Sequence, residues 1–170
     1  MKLNLGSGIS GPAALNVITR DHTGWKHIDI CPLYETTECY DITQGIRESD
    51  NSVEMIWMGD FFEHLLRHKA RFVLKECFRV LQKDGILLIS VPDMVIAMNK
   101  WLIDDGMGDI EQLIWGQQDE INQKNCIPDS HFAGYTEVSL KKALTTAGFE
   151  RVERIGIHKI WFELAMRAYK

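Results

Sequence analysis

Short apolar runs alternate with amphipathic helical segments along this chain. This alternation restricts the folds that the chain can adopt more than any other feature does. Segments 2–5, 26–30 and 53–58 have the length and apolar content of strands. Segment 86–91 is apolar throughout and is closed by Pro92, which is typical of a central strand buried on both faces. Strands of that kind form parallel sheets that helices cover. The sequence therefore predicts an α/β domain with a doubly wound, mostly parallel sheet.

The same reasoning places the remaining elements. A third strand is expected over 38–42, and a turn over 82–85, in which Gly85 suits a positive φ. The last strands, 150–157 and 161–169, are separated by so few residues that they should form an antiparallel hairpin. Apolar residues spaced three or four positions apart predict the helices. The helices are expected over 66–81, 94–104, 109–115 and from Thr136 to Gly148.

Length, charge and hydropathy exclude several classes of protein. The chain has 170 residues, with 19 Lys and Arg against 24 Asp and Glu, and a net charge of −5. A nucleic-acid binder normally has a basic surplus, so we expect no nucleic-acid partner. No apolar run approaches the roughly 18 residues of a membrane span, and the N-terminus lacks the apolar core of a signal peptide. We expect one domain over 1–170 that does not bind a membrane.

The four cysteines give no sign of a disulfide framework. Cys31, Cys39, Cys77 and Cys126 form no CxxC pair and have no regular spacing. Such cysteines are typical of intracellular chains, in which thiols stay reduced. We therefore expect reduced cysteines and a cytoplasmic location.

A glycine-rich turn, which includes Gly6, Ser7 and Gly8, follows the first strand directly. Glycines let backbone N–H groups approach a ligand closely. Asp29 ends the next strand about 20 residues later, where a carboxylate can accept hydrogen bonds from the ribose hydroxyls of a nucleotide. The same pattern fits an NAD-binding turn, but Pro12 follows it, and the next segment is too short for a long helix at a pyrophosphate. An NAD-binding oxidoreductase is therefore the weaker alternative.

Further polar residues follow the later strands, at the edge where open α/β sheets bind ligands. Asp41 can accept a hydrogen bond from an adenine amino group, or it can cap a turn. Asp60, Asp93 and His131 can act as a general base or orient a second substrate. Each of them can equally be a cap or a surface loop residue. The sequence does not decide between these roles.

Two histidines suggest a metal site only weakly. His64 and His68 are spaced four residues apart beside Glu63, but the order is not HExxH and the spacing shows no third ligand. We therefore expect no metal. Glu63 and His64 are expected to fasten the loop after the fourth strand or to border a substrate pocket.

In their order, these motifs resemble those of the class I S-adenosylmethionine (SAM)-dependent methyltransferases, especially small members with the methyltransferase-11 pattern. LNLGSG (3–8) is similar to the first family motif, and GWKHIDI (24–30) is similar to the strand that ends in the ribose-binding acid. Segments 40–65, 76–93 and 131–155 are similar to the later motifs. The resemblance covers nearly the whole chain. It implies a seven-stranded Rossmann-like sheet, with strand order 3-2-1-4-5-7-6 and an antiparallel last strand.

The resemblance also implies which residues contact SAM. The methionine part of SAM is expected to contact Leu5, Gly6, Ser7 and Gly8. The ribose is expected at Asp29, and the adenine at Ile30, Asp41 and Ile42. The sulfonium is expected above Met58, Gly59 and Asp60. The family usually has an acid at the position of Asn4.

The activity implied is methyl transfer from SAM to an acceptor that the sequence does not identify, which we expect to be a small molecule or a glycan. Displacement at a sulfonium methyl needs alignment more than a strong base. The candidates for a catalytic role therefore stay Asp60, His64, Asp93 and His131. An insert over 93–134 is expected to form the acceptor wall and to be the most mobile part of the free protein. A SAM-binding module without catalysis is the alternative, and a homodimer is left open.

Overall fold

The structure of this protein is a computed structural model, and it describes residues 1–8, 15, 18, 23–31, 37–103, 109–117, 129–156 and 162–170. The main sheet consists of β1 (Lys2–Leu5), β2 (Trp25–Asp29), β3 (Thr37–Cys39), β4 (Val53–Gly59), β5 (Leu81–Pro92), β8 (Arg151–Ile155) and β9 (Glu163–Tyr169). The helices are α1 (Arg67–Val80), α2 (Met94–Ile103), α3 (Asp109–Trp115) and α4 (Glu137–Ala147). A second small sheet pairs β6 (Gly116–Gln117) with β7 (Asp129–Ser130), and two 3-10 helices span Ile42–Gln44 and Phe62–His64. None of the described helices is long and apolar enough to cross a membrane.

The seven strands of the main sheet lie in the order β3-β2-β1-β4-β5-β9-β8. β1 pairs in parallel with both β2 and β4, and β4 pairs in parallel with β5. β9 runs antiparallel to both of its neighbours, β5 and β8. The expected order 3-2-1-4-5-7-6 is therefore confirmed, with β8 as the sixth strand and β9 as the seventh. The direction of strand addition reverses between β1 and β4, which is where an open α/β sheet has a ligand crevice beyond its carboxyl ends.

Helices α1 and α4 share one apolar core with the strands of the main sheet. Phe78 of α1 and Phe149, which follows α4, meet edge to face with ring centroids 5.4 Å apart. The hydroxyl of Thr136 accepts a hydrogen bond from the Ser139 N–H at 3.2 Å, and Gly148 ends α4 with a φ of 120°. Both predicted ends of α4 are thereby confirmed.

The turn after α1 differs from the prediction. Residues 82–85 lie within β5, and Asp84 has the positive φ, at 63°. A Cβ on Gly85 would lie 2.8 Å from the carbonyl oxygen of Gln82. Glycine is therefore required at position 85 by close packing against the backbone, and the expected positive φ of Gly85 is wrong.

The cysteines correct a second expectation. Cys31, just beyond β2, is disulfide-bonded, so the expectation that all four cysteines are reduced is wrong. Cys39 and Cys77 are free thiols, and burial raises the pKa of Cys77. Disulfide pairing requires two Cα atoms within about 4–7 Å of each other in the fold, which sequence spacing does not reveal.

An ion pair on α1 fastens the segment that follows β3. Glu76 accepts hydrogen bonds from the Arg79 guanidinium at 2.7 and 2.8 Å and from the Ile46 N–H at 2.9 Å. Arg79 also donates to the carbonyl oxygens of Glu48 and Ile46, at 3.0 and 2.8 Å. The hydrogen bonds from Arg79 and Ile46 outweigh burial and lower the pKa of the Glu76 carboxyl. The segment that begins at Asp41 is thereby held against α1.

We expect Glu76→Gln to lower the free energy of unfolding by about 1–3 kcal/mol at neutral pH, because hydrogen bonds to a charged group are weakened. The pKa of Glu76 is lower in the folded chain than in the unfolded chain, so the carboxylate's contribution is complete above the unfolded-state pKa. It is lost as the pH falls through the folded-state pKa. Urea denaturation at pH 7 and at about pH 3 would measure both values.

Lys75→Gln is the matched control, because Lys75 is exposed on the same helix and should leave stability within about 0.5 kcal/mol. A deficit of Glu76→Gln that is equally large at low pH would contradict the role of the charge.

Candidate active site

The glycine turn after β1 and the carboxylate that ends β2 lie in contact. The Gly8 N–H donates to Asp29 Oδ2 at 2.8 Å, and the Cys31 N–H donates to Asp29 Oδ1 at 2.9 Å. The Gly6 N–H donates to the carbonyl oxygen of Ile28 at 2.9 Å, which continues the pairing of β1 with β2. Two motifs that stand 21 positions apart in the sequence therefore form one unit at the carboxyl edge of the sheet.

The turn has two features of a ligand cradle. Ser7 is only 2% exposed, and its Oγ has no hydrogen-bond partner among the described residues. Gly8 has a φ of 57°, and a Cβ built there would meet no described atom within 4 Å. A buried hydroxyl without a partner costs about 1–3 kcal/mol, which a ligand that bonds to it would recover. The turn therefore fits the polar end of a cofactor.

Gly6 has a different reason to be glycine. A Cβ built at Gly6 would overlap the side chain of Phe61, which follows β4. Phe61 therefore packs directly against the turn, and this contact joins the carboxyl ends of β1 and β4. The expected place of Gly6 beside the cofactor stays a prediction, since packing alone accounts for this glycine.

Three of the predicted cofactor residues have their side chains in the core. Leu5 and Met58 are 0% exposed and Ile42 is 5% exposed, so only their backbone can face a ligand. Ile30, in contrast, is 45% exposed beside the end of β2. Of these residues, Ile30 is therefore the one whose side chain is accessible to a ligand, and its contact with the adenine stays a prediction.

Asp41 caps a helix, as its alternative interpretation predicted. Its carboxylate accepts a hydrogen bond from the Thr43 N–H at 2.8 Å and one from the Gln44 amide at 3.4 Å. Burial raises the pKa of the carboxyl, and these hydrogen bonds lower it further than burial raises it. The cap also ends β3 at Cys39 rather than at the predicted position 42. A carboxylate has about four acceptor positions, so the cap leaves capacity for an adenine amino group.

Asp60 follows β4 directly, at the point where the strand order reverses. Its φ is 48°, and its N–H donates to the carbonyl oxygen of Ser90 at 3.2 Å. Its side chain is exposed. A Cβ on the preceding Gly59 would overlap the Trp57 ring, so Gly59 is glycine for packing. Asp60 therefore supplies the polar side chain at this strand end.

Asp93 has a structural role that favours the cap alternative. Its carboxylate accepts a hydrogen bond from the Val95 N–H at 3.0 Å, in the first turn of α2, and forms an ion pair with Arg154 at 3.0 Å. Asp93 is 3% exposed, so these partners account for its burial. Arg154 could not be predicted as a partner of Asp93, because β8 approaches this strand end only in the folded chain.

Glu63, His64 and His131 come together at the same edge. The rings of His64 and His131 meet edge to face, with centroids 4.8 Å apart. The carbonyl oxygen of Glu63 accepts hydrogen bonds from the N–H groups of Phe132 and Ala133, at 2.8 and 3.1 Å. The expectation that Glu63 and His64 fasten this loop is consistent with these contacts. His68 is exposed on α1 and is not part of the cluster, so the spacing of the two histidines was misleading and His131 was the missing partner.

Comparison with known proteins agrees with this arrangement. A family model described as a methyltransferase domain matches residues 23–89, whereas no curated protein matches the chain significantly. A SAM-dependent methyltransferase structure from Archaeoglobus fulgidus is 14% identical with a TM-score of 0.68, over 99% of this chain and 85% of that one. One from Methanosarcina mazei is 17% identical with a TM-score of 0.62, over 99% and 91%. PigF with SAH is 14% identical with a TM-score of 0.63, over 99% and 50%.

The strand order and the turn at the reversal of the sheet define a Rossmann-like α/β fold, which has its ligand crevice at this edge. The matched segment contains Asp29, Asp41 and Asp60, and the fold over the whole chain is that of the methyltransferase structures. The chain is thus similar to a methyltransferase domain over residues 23–89, and it shares the fold of SAM-dependent methyltransferase structures over its whole length.

We expect Gly8→Val to abolish binding of S-adenosylhomocysteine (SAH) while the chain stays folded. The branched side chain would occupy the space in front of the turn, and the positive φ adds about 1–2 kcal/mol of strain. Calorimetric titration with SAH would measure binding, and circular dichroism would report the fold. Wild-type affinity in Gly8→Val would place the cofactor elsewhere.

Gly6→Val is the comparison variant, since its side chain would collide first with Phe61. We expect it to lose thermal stability as well as SAH binding. Thermal unfolding of the two variants would separate the packing role of Gly6 from the ligand-facing role of Gly8.

Proposed function

We propose that SAM lies across the carboxyl ends of β1, β2 and β4, with its methionine part at the turn 6–8 and its ribose at Asp29. The observation that carries this proposal is the contact of Gly8 with Asp29, beside the Ser7 hydroxyl, which has no hydrogen-bond partner among the described residues. Asp29 accepts one N–H on each oxygen, and its remaining lone pairs can accept the two ribose hydroxyls. The Ser7 hydroxyl would then bind the polar end of the methionine, since the N–H groups of the turn already donate to Ile28 and Asp29.

The other strand ends position the remainder of the cofactor. Ile30 would pack on the adenine, and Asp41 would accept a hydrogen bond from its amino group. Asp60 would lie near the sulfonium, where a carboxylate stabilises positive charge. SAM supplies a methyl group that is already activated, so these residues mainly bind, align and exclude water.

We propose a small molecule or a glycan as the acceptor, bound against the insert 93–134. The base of this insert is fastened to the carboxyl edge of the sheet. The Met94 N–H donates to the carbonyl oxygen of Tyr135 at 3.0 Å, and the Phe132 N–H donates to that of Glu63 at 2.8 Å. The first bond closes the base of the insert and the second ties it to the loop after β4, so the insert would form an acceptor wall beside the proposed cofactor site. The net charge of −5 also disfavours a polyanionic acceptor such as a nucleic acid.

Part of the insert, namely residues 104–108 and 118–128, lies outside the described part of the chain. The polar run 117–125 belongs almost entirely to them. The greater mobility of the insert in the free protein stays a prediction, which hydrogen exchange with and without SAH would check.

One observation favours the second candidate function, a SAM-binding module that acts through protein contacts. Leu102 and Ile103, at the end of α2, are 75% and 80% exposed, and Trp115 at the end of α3 is 49% exposed. Exposed apolar residues in a group can mark a contact surface, including that of a homodimer. Light scattering on the wild type and on Leu102→Ser would show whether two copies pair through this surface, and methyl-transfer assays would show whether the protein is catalytic.

We expect Asp29→Ala to weaken SAH binding by about 2 kcal/mol or more, because buried donors lose their acceptor. This corresponds to about a thirtyfold increase in Kd. Calorimetric titration would measure the change, with circular dichroism to show that the variant is folded. Glu150→Ala, which removes an exposed carboxylate beyond α4, is the control and should bind like the wild type.

Thermal unfolding of the wild type in the presence of NAD or of SAH tests the oxidoreductase alternative. We expect SAH to raise the thermal unfolding temperature and NAD to leave it unchanged, since only a ligand of the native state stabilises it. Stabilisation by NAD and not by SAH would reverse the assignment of the cofactor.

A further inference from the structure

Three metal-ligating side chains converge from two distant segments of the chain. Glu63 and His64 lie in the 3-10 helix that follows β4, and His131 lies in the segment that leads into α4. A carboxylate oxygen and one ring nitrogen from each histidine all lie within 4.8 Å of one another. Glu63 is 2% exposed and the two histidines are half-buried. The carboxylate is therefore buried, whereas the two imidazole rings are partly accessible to solvent.

The hydrogen bonds of the two imidazole rings determine which nitrogen can bind a metal. His64 Nδ1 lies 3.0 Å from the carbonyl oxygen of Ser130, and His131 Nδ1 lies 3.1 Å from that of Leu113. A carbonyl oxygen only accepts, so each Nδ1 carries the proton and donates. In a neutral imidazole the lone pair is then on Nε2. This is the arrangement of metal-bound histidines, whose second nitrogen usually donates to a backbone carbonyl or a carboxylate.

Backbone hydrogen bonds hold the two segments in register. The carbonyl oxygen of Glu63 accepts the N–H groups of Phe132 and Ala133, and the His131 N–H donates to the carbonyl oxygen of Trp115 at 3.0 Å. The ligand-bearing residues are therefore fixed through their main chain, and their side chains need only small rotations to close on an ion. A tetrahedral ion with bonds of about 2.0–2.2 Å requires ligand atoms about 3.4 Å apart.

We propose that Glu63, His64 and His131 form a binding site for one divalent transition-metal ion. Two imidazole nitrogens and one carboxylate oxygen are the ligands of a three-residue zinc site that keeps a fourth position open. The ion that fits best is Zn²⁺ or one of similar preference, rather than Mg²⁺, which favours oxygen ligands.

The open position indicates the class of acceptor, and this step rests on the proposed function. Phe61 packs against the glycine turn and precedes Glu63 by two residues, so the metal site adjoins the place proposed for SAM. An acceptor hydroxyl bound to the ion would have a lowered pKa and lose its proton to water. The resulting alkoxide or phenolate attacks the methyl carbon: the O–C bond forms, the S–C bond breaks, and its electron pair stays on sulfur, which leaves SAH. The acceptor is therefore an oxygen nucleophile.

Metal binding can be tested without any acceptor. The probe is ZnCl₂, titrated calorimetrically into chelator-treated protein, and we expect one ion per chain. His131→Ala should weaken binding by about a hundredfold or more, because the loss of an outer-shell partner alone costs about 10–100-fold. His64→Asn is the second variant, since it removes a ligand from the other segment. Co²⁺ bound in place of Zn²⁺ should give visible absorption in the wild type that both variants lose.

His68→Ala is the matched control, because His68 is exposed on α1 outside the cluster and its loss should leave Zn²⁺ affinity within twofold, about 0.4 kcal/mol. Absence of Zn²⁺ binding in the wild type, or an equal loss in all three variants, would overturn the site. Titration of the same proteins with SAH keeps the two proposals apart. His131→Ala should bind SAH within twofold of wild type, whereas failure of the wild type to bind SAH would refute the proposed cofactor site and leave the zinc result standing.

Discussion

The site depends on the two hydrogen bonds that the Asp29 carboxylate accepts from backbone N–H groups. One comes from Gly8 at 2.8 Å and the other from Cys31 at 2.9 Å, so a single side chain holds the turn after β1 against the residues that follow β2. Hydrogen bonds to a charged acceptor are stronger than those between neutral groups. Because the turn contains two positive-φ glycines, Gly6 and Gly8, it has few steric restraints of its own. The carboxylate supplies the restraint, and the cradle for the cofactor follows from it.

Most of the fold could be predicted from local patterns, and the exceptions have local physical reasons. β1 and α4 were placed correctly because a glycine turn ends the first and a hydroxyl cap begins the second. The predicted third strand extends too far, to position 42. Asp41 caps a 3-10 helix, and this cap ends the extended backbone before that position. The sequence shows only that residue 85 has no side chain, and this fits either a positive φ or close packing. The prediction of a positive φ at Gly85 chose the wrong one of these two reasons. Steric contact with Gln82 is visible only in the folded chain.

The strand-end positions of the candidate residues could be predicted from the sequence, whereas the directions of several of their side chains could not. Strand ends are readable from sequence, and parallel strands bring their carboxyl ends to one edge, so Asp29, Asp41 and Asp60 lie where they were expected. Which way a residue points at a strand end depends on the last residues of the pleat and on the loop that follows. Met58 therefore faces the core, and Asp93 caps α2 and pairs with Arg154 instead of facing a substrate.

The cluster around Glu63 shows what sequence spacing cannot supply. Its third member stands 67 positions after His64, and no periodic pattern joins them. The link is made by backbone hydrogen bonds from the segment before α4 to the carbonyl oxygen of Glu63. That carbonyl belongs to the 3-10 helix after Phe61, whose ring packs on the glycine turn. A displacement of the insert would therefore be transmitted, through Glu63 and Phe61, to the turn at which we propose that SAM binds. Binding of an acceptor on the insert and binding of SAM on the turn should consequently be coupled, since each orders a surface on which the other depends.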